Sequence, residues 1–213
     1  STTQVAGLSE TQLAGLSATG LAGLSEDQLA VLTSAQLTAL TSTQLGRLTT
    51  TQLSAISQSD LSGLTSTQLR GLSTDQISSL STTQVAGLTT TQLASLTTTQ
   101  LATLVGSQAA ALSETQLAGL NATQLGALST TALSGLTTTQ MSQLTTTQVR
   151  ALSATQVAAL ADTALAGLDA THLAALTTVQ VGALTATQVQ ALEPAQLEAL
   201  STSKTAALST SAI

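Results

Sequence analysis

An eight-residue repeat restricts the folds open to this chain more than any other feature of the sequence. The first unit is STTQVAGL and the second is SETQLAGL, and the frame continues without a slip through residue 208. This gives 26 units over residues 1–208 and a partial unit, STSAI, at 209–213. The eighth position is Leu in 25 units, and the fourth is Gln in 20. A period this short and regular predicts one repeat array over residues 1–213.

Three arrangements of the backbone are compared: a strand, one long helix, and a short helix in every unit. The repeat excludes the first two. In a strand, the apolar fifth and eighth positions would point to opposite faces, because side chains alternate with a period of two. In one long helix, eight residues overshoot two turns by about 80°, so the leucine stripe would leave any fixed face. A new short helix in every unit is the conformation that remains.

Capping supports a helix in every unit. Ser or Thr followed three residues later by Gln is the capping box, in which both side chains bond to backbone amides at the helix start. The preceding Leu and the aliphatic residue at the fifth position then form the hydrophobic staple. Pro194 falls at the first helical position, where a missing N–H does no harm.

The charges agree with this frame independently. Nine of the ten acidic residues lie in the first half of a unit, and three of the four cations lie at the sixth or seventh position. This is the distribution that the helix dipole favours. We therefore expect an all-α solenoid of very short capped helices, one per eight-residue repeat, each six or seven residues long. Two or three helices per superhelical turn are both compatible with the sequence.

Two stretches depart from the consensus. Residues 105–112, VGSQAAAL, lose the capping hydroxyl and the large aliphatic side chain of the fifth position, which suggests an irregularity or weak point there. Residues 193–213 contain Glu193, Pro194 and Lys204, and we interpret them as a possible terminal cap. The chain starts at Ser1 without a signal-like segment, so we expect a fragment or a processed form.

Composition excludes several classes of function. The chain contains no Cys and no aromatic residue other than one His, and its net charge is −6 with only four Lys and Arg. Nucleic-acid binding requires clustered cations, so we do not expect it. No apolar run approaches the 18 or so residues of a membrane span, so we expect no membrane insertion.

Few residues are candidates for chemistry. His172 takes the Gln position of its unit, with Asp169 at the cap; a metal ligand or catalytic base would need further partners, so we interpret the pair as a capping substitute. Glu26 and Asp27 are interpreted as first-turn charges that complement the helix dipole rather than as a cation site. With one His and no Gly-x-Ser-x-Gly, a serine triad is not expected. We predict no catalytic, metal or cofactor-binding residue, no cofactor, and no enzyme activity.

Hydroxyl groups are the most abundant surface chemistry. Asn121-Ala-Thr matches the glycosylation sequon, but its place in the unit favours a cap. Runs of three threonines start at Thr89, Thr97, Thr137 and Thr145 and would place hydroxyls in rows. Such rows could bind a glycan, ice or another protein, or they could simply reflect the preference of helix starts for Ser and Thr.

Units such as LTTTQLASLTTTQLATL, residues 88–104, resemble the octapeptide arrays of large bacterial surface and adhesin-like proteins. The resemblance covers the full chain and implies an extracellular or surface-attached stalk, and it transfers no site residues. The segment LSATQVAAL, residues 152–160, is also similar to the first helix of TAL-effector repeats, whose base-reading loop has no counterpart here.

The function we expect is structural. The array would act as an extracellular spacer, stalk or filament whose length scales with repeat number, with itself or flanking repeats as end-to-end partners. The alternative is a binding module that uses the Thr/Ser surface for glycan, ice or protein.

Overall fold

Each repeat folds as a short helix that begins after its Ser or Thr. The computed structural model describes residues 1–208, all of whose regular elements are α-helices. In a typical unit, Ser73 has an extended backbone (φ −71°, ψ 164°), and its hydroxyl accepts a hydrogen bond from the amide of Gln76. This geometry satisfies one of the amides that a helix start leaves unpaired. The capping box predicted from the sequence is therefore formed.

The helices of residues 1–103 follow one another at intervals of one repeat. They are α1 (Thr2–Ala6), α2 (Glu10–Ala14), α3 (Ala18–Ala22), α4 (Glu26–Ala30), α5 (Ser34–Ala39), α6 (Ser42–Leu45), α7 (Thr50–Ser54), α8 (Gln58–Gly63), α9 (Ser66–Arg70), α10 (Thr74–Ser79), α11 (Thr82–Ala86), α12 (Thr90–Ser95) and α13 (Thr98–Leu101).

The same spacing continues through the second half of the chain. The helices are α14 (Gly106–Ala110), α15 (Glu114–Ala118), α16 (Ala122–Gly126), α17 (Thr130–Ser134), α18 (Thr138–Ser142), α19 (Thr146–Ala151), α20 (Ala154–Ala158), α21 (Asp162–Leu165), α22 (Ala170–Ala175), α23 (Thr178–Gly182), α24 (Ala186–Gln190), α25 (Pro194–Glu198) and α26 (Thr202–Thr205).

The helices are shorter than the expected six or seven residues: those described contain four to six. The last turn tightens, so that the amide of Leu96 bonds to the carbonyl of Leu93, three residues earlier. Leu96 (φ −62°, ψ 144°) and Thr97 (φ −70°, ψ 158°) are then both extended. Two consecutive extended residues redirect the chain before the next helix begins.

Within residues 1–103 and within residues 104–208, helices pack against the helix three repeats later. The packed pairs include α1 with α4, α2 with α5, α3 with α6, and α20 with α23. One superhelical turn is therefore three helices, or 24 residues, and the two-helix arrangement left open by the sequence is wrong. The fold is the predicted all-α solenoid of short helices.

The solenoid core consists of the aliphatic residues at the fifth and eighth positions. Leu69, Ile77 and Val85, one from each helix of a layer, are fully buried, and Leu72 and Leu80 between them are nearly so. Burying such side chains stabilises a fold by about 1.5–3 kcal/mol each. Because a single helix of this length is unstable alone, packing between layers maintains it.

Small residues at the sixth and seventh positions let successive layers approach closely. A Cβ atom added to Gly71 would lie 2.6 Å from the carbonyl oxygen of Ser42, one layer earlier. A Cβ added to Gly135 would lie 2.1 Å from the carbonyl oxygen of Gly106. Backbone therefore packs directly on backbone at these positions.

The chain forms two compact units, Ser1–Thr103 and Leu104–Ile213. The division immediately precedes residues 105–112, the repeat that lacks the capping hydroxyl. That repeat still forms α14, in which Ala109 is fully buried and the amide of Val105 donates to Gln108 Oε1 at 3.0 Å. In the predicted terminal cap, α25 and α26 continue the repeat, and residues 209–213 lie outside the described residues.

Candidate functional site: the glutamine bridges

The most regular polar chemistry of the molecule lies inside it. From Gln36 onward, the glutamines at the fourth position are buried, whereas Gln4 and Gln12 in the first layer are exposed. The buried set is Gln36, Gln44, Gln52, Gln68, Gln76, Gln84, Gln92, Gln100, Gln108, Gln116, Gln124, Gln140, Gln148, Gln156, Gln180, Gln188 and Gln196. A buried amide needs partners for both of its ends.

Gln76 shows how both ends are paired. Its Oε1 accepts from the amide of Ser73 at 2.7 Å, which completes the capping box of its own helix. Its Nε2 donates to the carbonyl oxygens of Leu45 at 2.9 Å and Leu48 at 2.7 Å. Those carbonyls close α6, which lies one layer earlier and four repeats back. One side chain thus caps the start of its own helix and the end of another.

The same two-ended contact, termed here the glutamine bridge, recurs in both compact units. Gln100 donates to Leu69 at 3.0 Å and Leu72 at 2.8 Å, and Gln140 donates to Ala109 at 2.9 Å and Leu112 at 2.7 Å. The acceptors always lie 31 and 28 residues earlier in these cases. The bridge therefore fixes the register between layers as well as satisfying buried carbonyls.

Sequence reasoning assigned Gln to the capping box alone and missed its second role. A capping box accepts Glu as readily as Gln, and the helix dipole favours Glu near a helix start. Yet Glu occupies the fourth position in none of the 26 units. That absence was the available signal, because an amide accepts with one end and donates with the other, whereas a carboxylate only accepts.

His172 replaces Gln with the same connectivity. Its Nδ1 lies 3.2 Å from the amide nitrogen of Asp169, and its Nε2 lies 2.6 Å from the carbonyl oxygen of Leu144, 28 residues earlier. Because a carbonyl only accepts, Nε2 carries a proton. The interpretation as a capping substitute agrees with these contacts, and the histidine also forms the bridge to the earlier layer.

Asp169 is exposed and caps α22. Its Oδ1 accepts from the amide of His172 at 2.9 Å, and this backbone hydrogen bond lowers the pKa of the Asp169 carboxyl from its ordinary value. The same Oδ1 lies 2.9 Å from His172 Nδ1, and the charge of the ring, when protonated, acts in the same direction.

Not every eight-residue repeat forms the glutamine bridge. Ala132 and Ala164 occupy the fourth position of α17 and α21, and each is fully buried. In α17, the Ser129 hydroxyl partly substitutes for it, since it lies 3.3 Å from the carbonyl oxygen of Leu104. In α26, Lys204 Nζ donates to the carbonyl of Ala174, 30 residues earlier.

The remaining candidates from the sequence lie apart from one another. Glu26 and Asp27 lie in the first turn of α4, and Asn121 caps α16 with Oδ1 accepting from the amide of Gln124 at 2.9 Å. Within residues 1–208, no three His, Cys, Asp or Glu side chains lie close enough to hold a metal ion. None of the helices described is long and apolar enough to cross a membrane.

The exposed third position of the repeat distinguishes one side of each compact unit from the other two. In the first compact unit, the stacked helices α3, α6, α9 and α12 all carry Thr at the third position of their repeats. In the second compact unit, α15, α18, α21 and α24 do. We call these two sets the threonine columns: Thr19, Thr43, Thr67 and Thr91, and Thr115, Thr139, Thr163 and Thr187. The other sides are interrupted by residues such as Asp27, Ala35 and Val179.

Comparison with known proteins identifies part of the repeat. A family model described as the ALTTAQ repeat matches residues 53–90. If ALTTAQ is read as a sequence, Ala-Leu corresponds to the seventh and eighth positions of one eight-residue unit, and Thr-Thr-Ala-Gln to the first four positions of the next. The corresponding segment here is, for example, SLSTTQ at residues 79–84. The match indicates a repeat region of this type. No curated protein matches the chain.

Proposed function

We propose that this array is a structural spacer whose length is set by the number of repeats. The glutamine bridge is the observation that carries the proposal. Each new helix caps itself and the end of a helix in the earlier layer, so the polar groups of the repeat serve to join one layer to the next. A chain built this way extends by adding layers, and its natural partner is more of the same repeat.

Two further features support a structural role. The buried residues of a layer are aliphatic side chains and bridged glutamines, which leaves the interior filled and its amides paired. The match to a repeat family over residues 53–90 is a match to a repeating structure. Neither feature presents a reactive group to a substrate, and the proposal assigns the array no enzyme activity.

We place the spacer outside the cell, as a stalk or filament region of a surface protein. The support is the resemblance of units such as LTTTQLASL to octapeptide arrays of adhesin-like proteins, together with a surface rich in Ser and Thr and poor in charge. Antibody labelling of intact source cells with serum raised against this chain tests the location. Labelling only after permeabilisation would contradict it.

Insertion of whole layers tests the spacer itself. A second copy of residues 65–88 placed after Leu88 adds three helices, one complete layer. Small-angle scattering should show the maximum dimension growing by about 10 Å per inserted copy, the spacing of packed helices. A matched insert with Glu at its three glutamine positions, 68, 76 and 84, should not extend the structure. Equal growth in all directions would contradict the proposal.

A binding face for a periodic ligand is the second candidate, and the threonine columns favour it. A glycan array and an ice-recrystallisation assay should give a signal with the natural chain that Thr43→Lys/Thr67→Lys removes. The control is Thr51→Lys, at the same position on another side of the first unit. Equal signals from both variants, or no signal from the natural chain, would count against a binding face.

A further inference from the structure

One helix of the second unit, α21 (Asp162–Leu165) of the repeat 161–168, lacks the glutamine bridge to the earlier layer. Two bridge-forming features are missing there together. Its N-cap is Ala161, which provides no side-chain acceptor, and its fourth position is Ala164, which provides no amide. The preceding helix α20 has both, because Ser153 caps the amide of Gln156 and Gln156 donates to Gly126 at 2.8 Å and Leu128 at 2.7 Å.

The loss leaves backbone groups unpaired in a buried place. By the spacing of the other bridges, a Gln at 164 would donate to the carbonyl of Leu136, 28 residues earlier. Within residues 1–208, neither that carbonyl nor the amide of Ala164 has a hydrogen-bond partner, although both residues are buried. Unpaired buried groups destabilise the closed state relative to an open one in which water binds them.

Helix α17, in the earlier layer, also lacks a glutamine at its fourth position. The acceptors that α21 would bridge belong to α17, whose own fourth position is Ala132. Helix α17 therefore neither receives a glutamine bridge from α21 nor provides one. On its other side it packs tightly, with Gly135 against Gly106 of α14.

The two ends of α21 are held differently. At its C-terminal end, Gln196 donates to the carbonyls of Ala166 and Leu168, and Gly167 lies against the backbone of Thr138. At its N-terminal end Ala164 is fully buried, but the side-chain hydrogen bonds to other described helices are exposed ones: Thr138 Oγ1 to the carbonyl of Thr163 at 2.8 Å, and Thr187 Oγ1 to Asp162 at 3.4 Å. Exposed bonds of this kind compete with water.

We propose that, among the interior repeats of the second unit, opening begins at the N-terminal end of α21, by local unfolding of residues 161–164 away from α17. The opening precedes global unfolding and is built into the sequence by Ala132, Ala161 and Ala164. It makes this repeat the first interior point at which the second unit admits a protease. Low-stability segments of this kind are the ones that open on their own in native proteins.

Native-state hydrogen exchange on the full chain tests the opening. The peptide 161–168 should exchange about tenfold faster than 153–160, which carries the intact cap and bridge. The variant Ala161→Ser/Ala164→Gln restores both contacts and should bring its rate to that of 153–160. Conversely, Ser153→Ala/Gln156→Ala should transfer the fast exchange to 153–160. Equal rates in the natural chain, or a rate unchanged by the restoring variant, would overturn the proposal.

Limited proteolysis provides a second, independent measurement. A protease that cleaves before Asp has two sites among the described residues of the second unit, Asp162 and Asp169. The first cut should fall at 161/162, and Ala161→Ser alone, which restores the cap without enlarging the buried Ala164, should delay it. A first cut at 168/169, or no delay in the variant, would contradict opening at α21.

Discussion

Helices α2 and α10 belong to the same compact unit and carry the same motif, yet their glutamines differ in burial and in hydrogen bonding. Both form a complete capping box: Ser9 with Gln12 and Ser73 with Gln76. Gln12 lies in the first layer and is exposed, with no earlier carbonyls beneath it, whereas Gln76 is 2% exposed and donates to Leu45 and Leu48. The comparison separates what a repeat does for its own helix from what it does for the stack.

The difference shows that the octapeptide has two functions, and that only one of them is local. Capping depends on residues three positions apart and is the same in both helices. Bridging needs a layer 28 to 31 residues earlier, and it exists only where such a layer is present. The first layer of the described chain is therefore a natural control for the interior ones.

The largest expected difference between the two regions concerns the core. Leu72→Ala should reduce the free energy of unfolding by about 3 kcal/mol, because Leu72 is buried and a cavity remains. Leu16→Ala, at the same position in the half-buried first layer, should cost about 1 kcal/mol. Urea unfolding of the full chain, followed by circular dichroism, measures both. Equal losses would mean that the layers do not differ in packing.

Glycine substitution should sharpen the comparison by changing the sign of the effect. Gly71→Ala should destabilise the chain by about 2 kcal/mol, because the new Cβ would meet the backbone of Ser42. Gly7→Ala meets only carbonyls of its own helix at 3.4 Å and beyond, and should stabilise by up to about 1 kcal/mol. The same urea measurement checks both signs, and a neutral Gly71→Ala would contradict the close approach of layers.

Substitution of His172 tests whether another side chain with both an acceptor and a donor can replace Gln in an interior layer. His172→Gln should keep the contacts to Asp169 and Leu144 and change the free energy of unfolding by less than about 0.5 kcal/mol. His172→Ala removes both and should cost about 1–2 kcal/mol. Thermal unfolding of the two variants side by side provides the measurement. Similar losses in both would mean that the contacts of His172 are not those of a bridge.

The smallest effect concerns the pH dependence of one cap. Since folding lowers the pKa of Asp169, its contribution is present above the unfolded pKa and is lost as pH falls through the lower folded pKa. Asp169→Asn keeps an N-cap acceptor that does not titrate. The urea midpoint of the natural chain should therefore fall more steeply with acid than that of the variant. Parallel curves would contradict the assignment.

Much of this architecture could be predicted from the sequence because it depends on short-range rules. The frame, the capping box and the buried fifth and eighth positions all follow from contacts within a few residues, as Ser73, Gln76 and Ile77 illustrate. Helix length was overestimated, because the tightened last turn ends each helix early. Three helices per turn could not be predicted, since the turn depends on contacts between repeats 24 residues apart.

The glutamine bridge lies between these two cases. Its acceptors lie about 30 residues away and are not visible in any single repeat. Its signature is nevertheless in the sequence, because Gln occupies the fourth position in 20 of the 26 units and Glu in none, although Glu would cap equally well. The same logic explains why His172 and Lys204 can occupy the position, since both carry an N–H donor.

One pair of substitutions tests the bridge most directly: Gln76→Glu against Gln12→Glu in the full chain. Glu preserves the capping acceptor at both positions, but at 76 it places a carboxylate against two buried carbonyls. The bridge predicts that Gln76→Glu lowers the urea midpoint strongly at pH 7 and recovers in acid as the carboxyl is protonated, while Gln12→Glu leaves the midpoint unchanged or slightly raised. If both variants behave alike at pH 7, the fourth position acts only as a cap and the bridge does not join the layers.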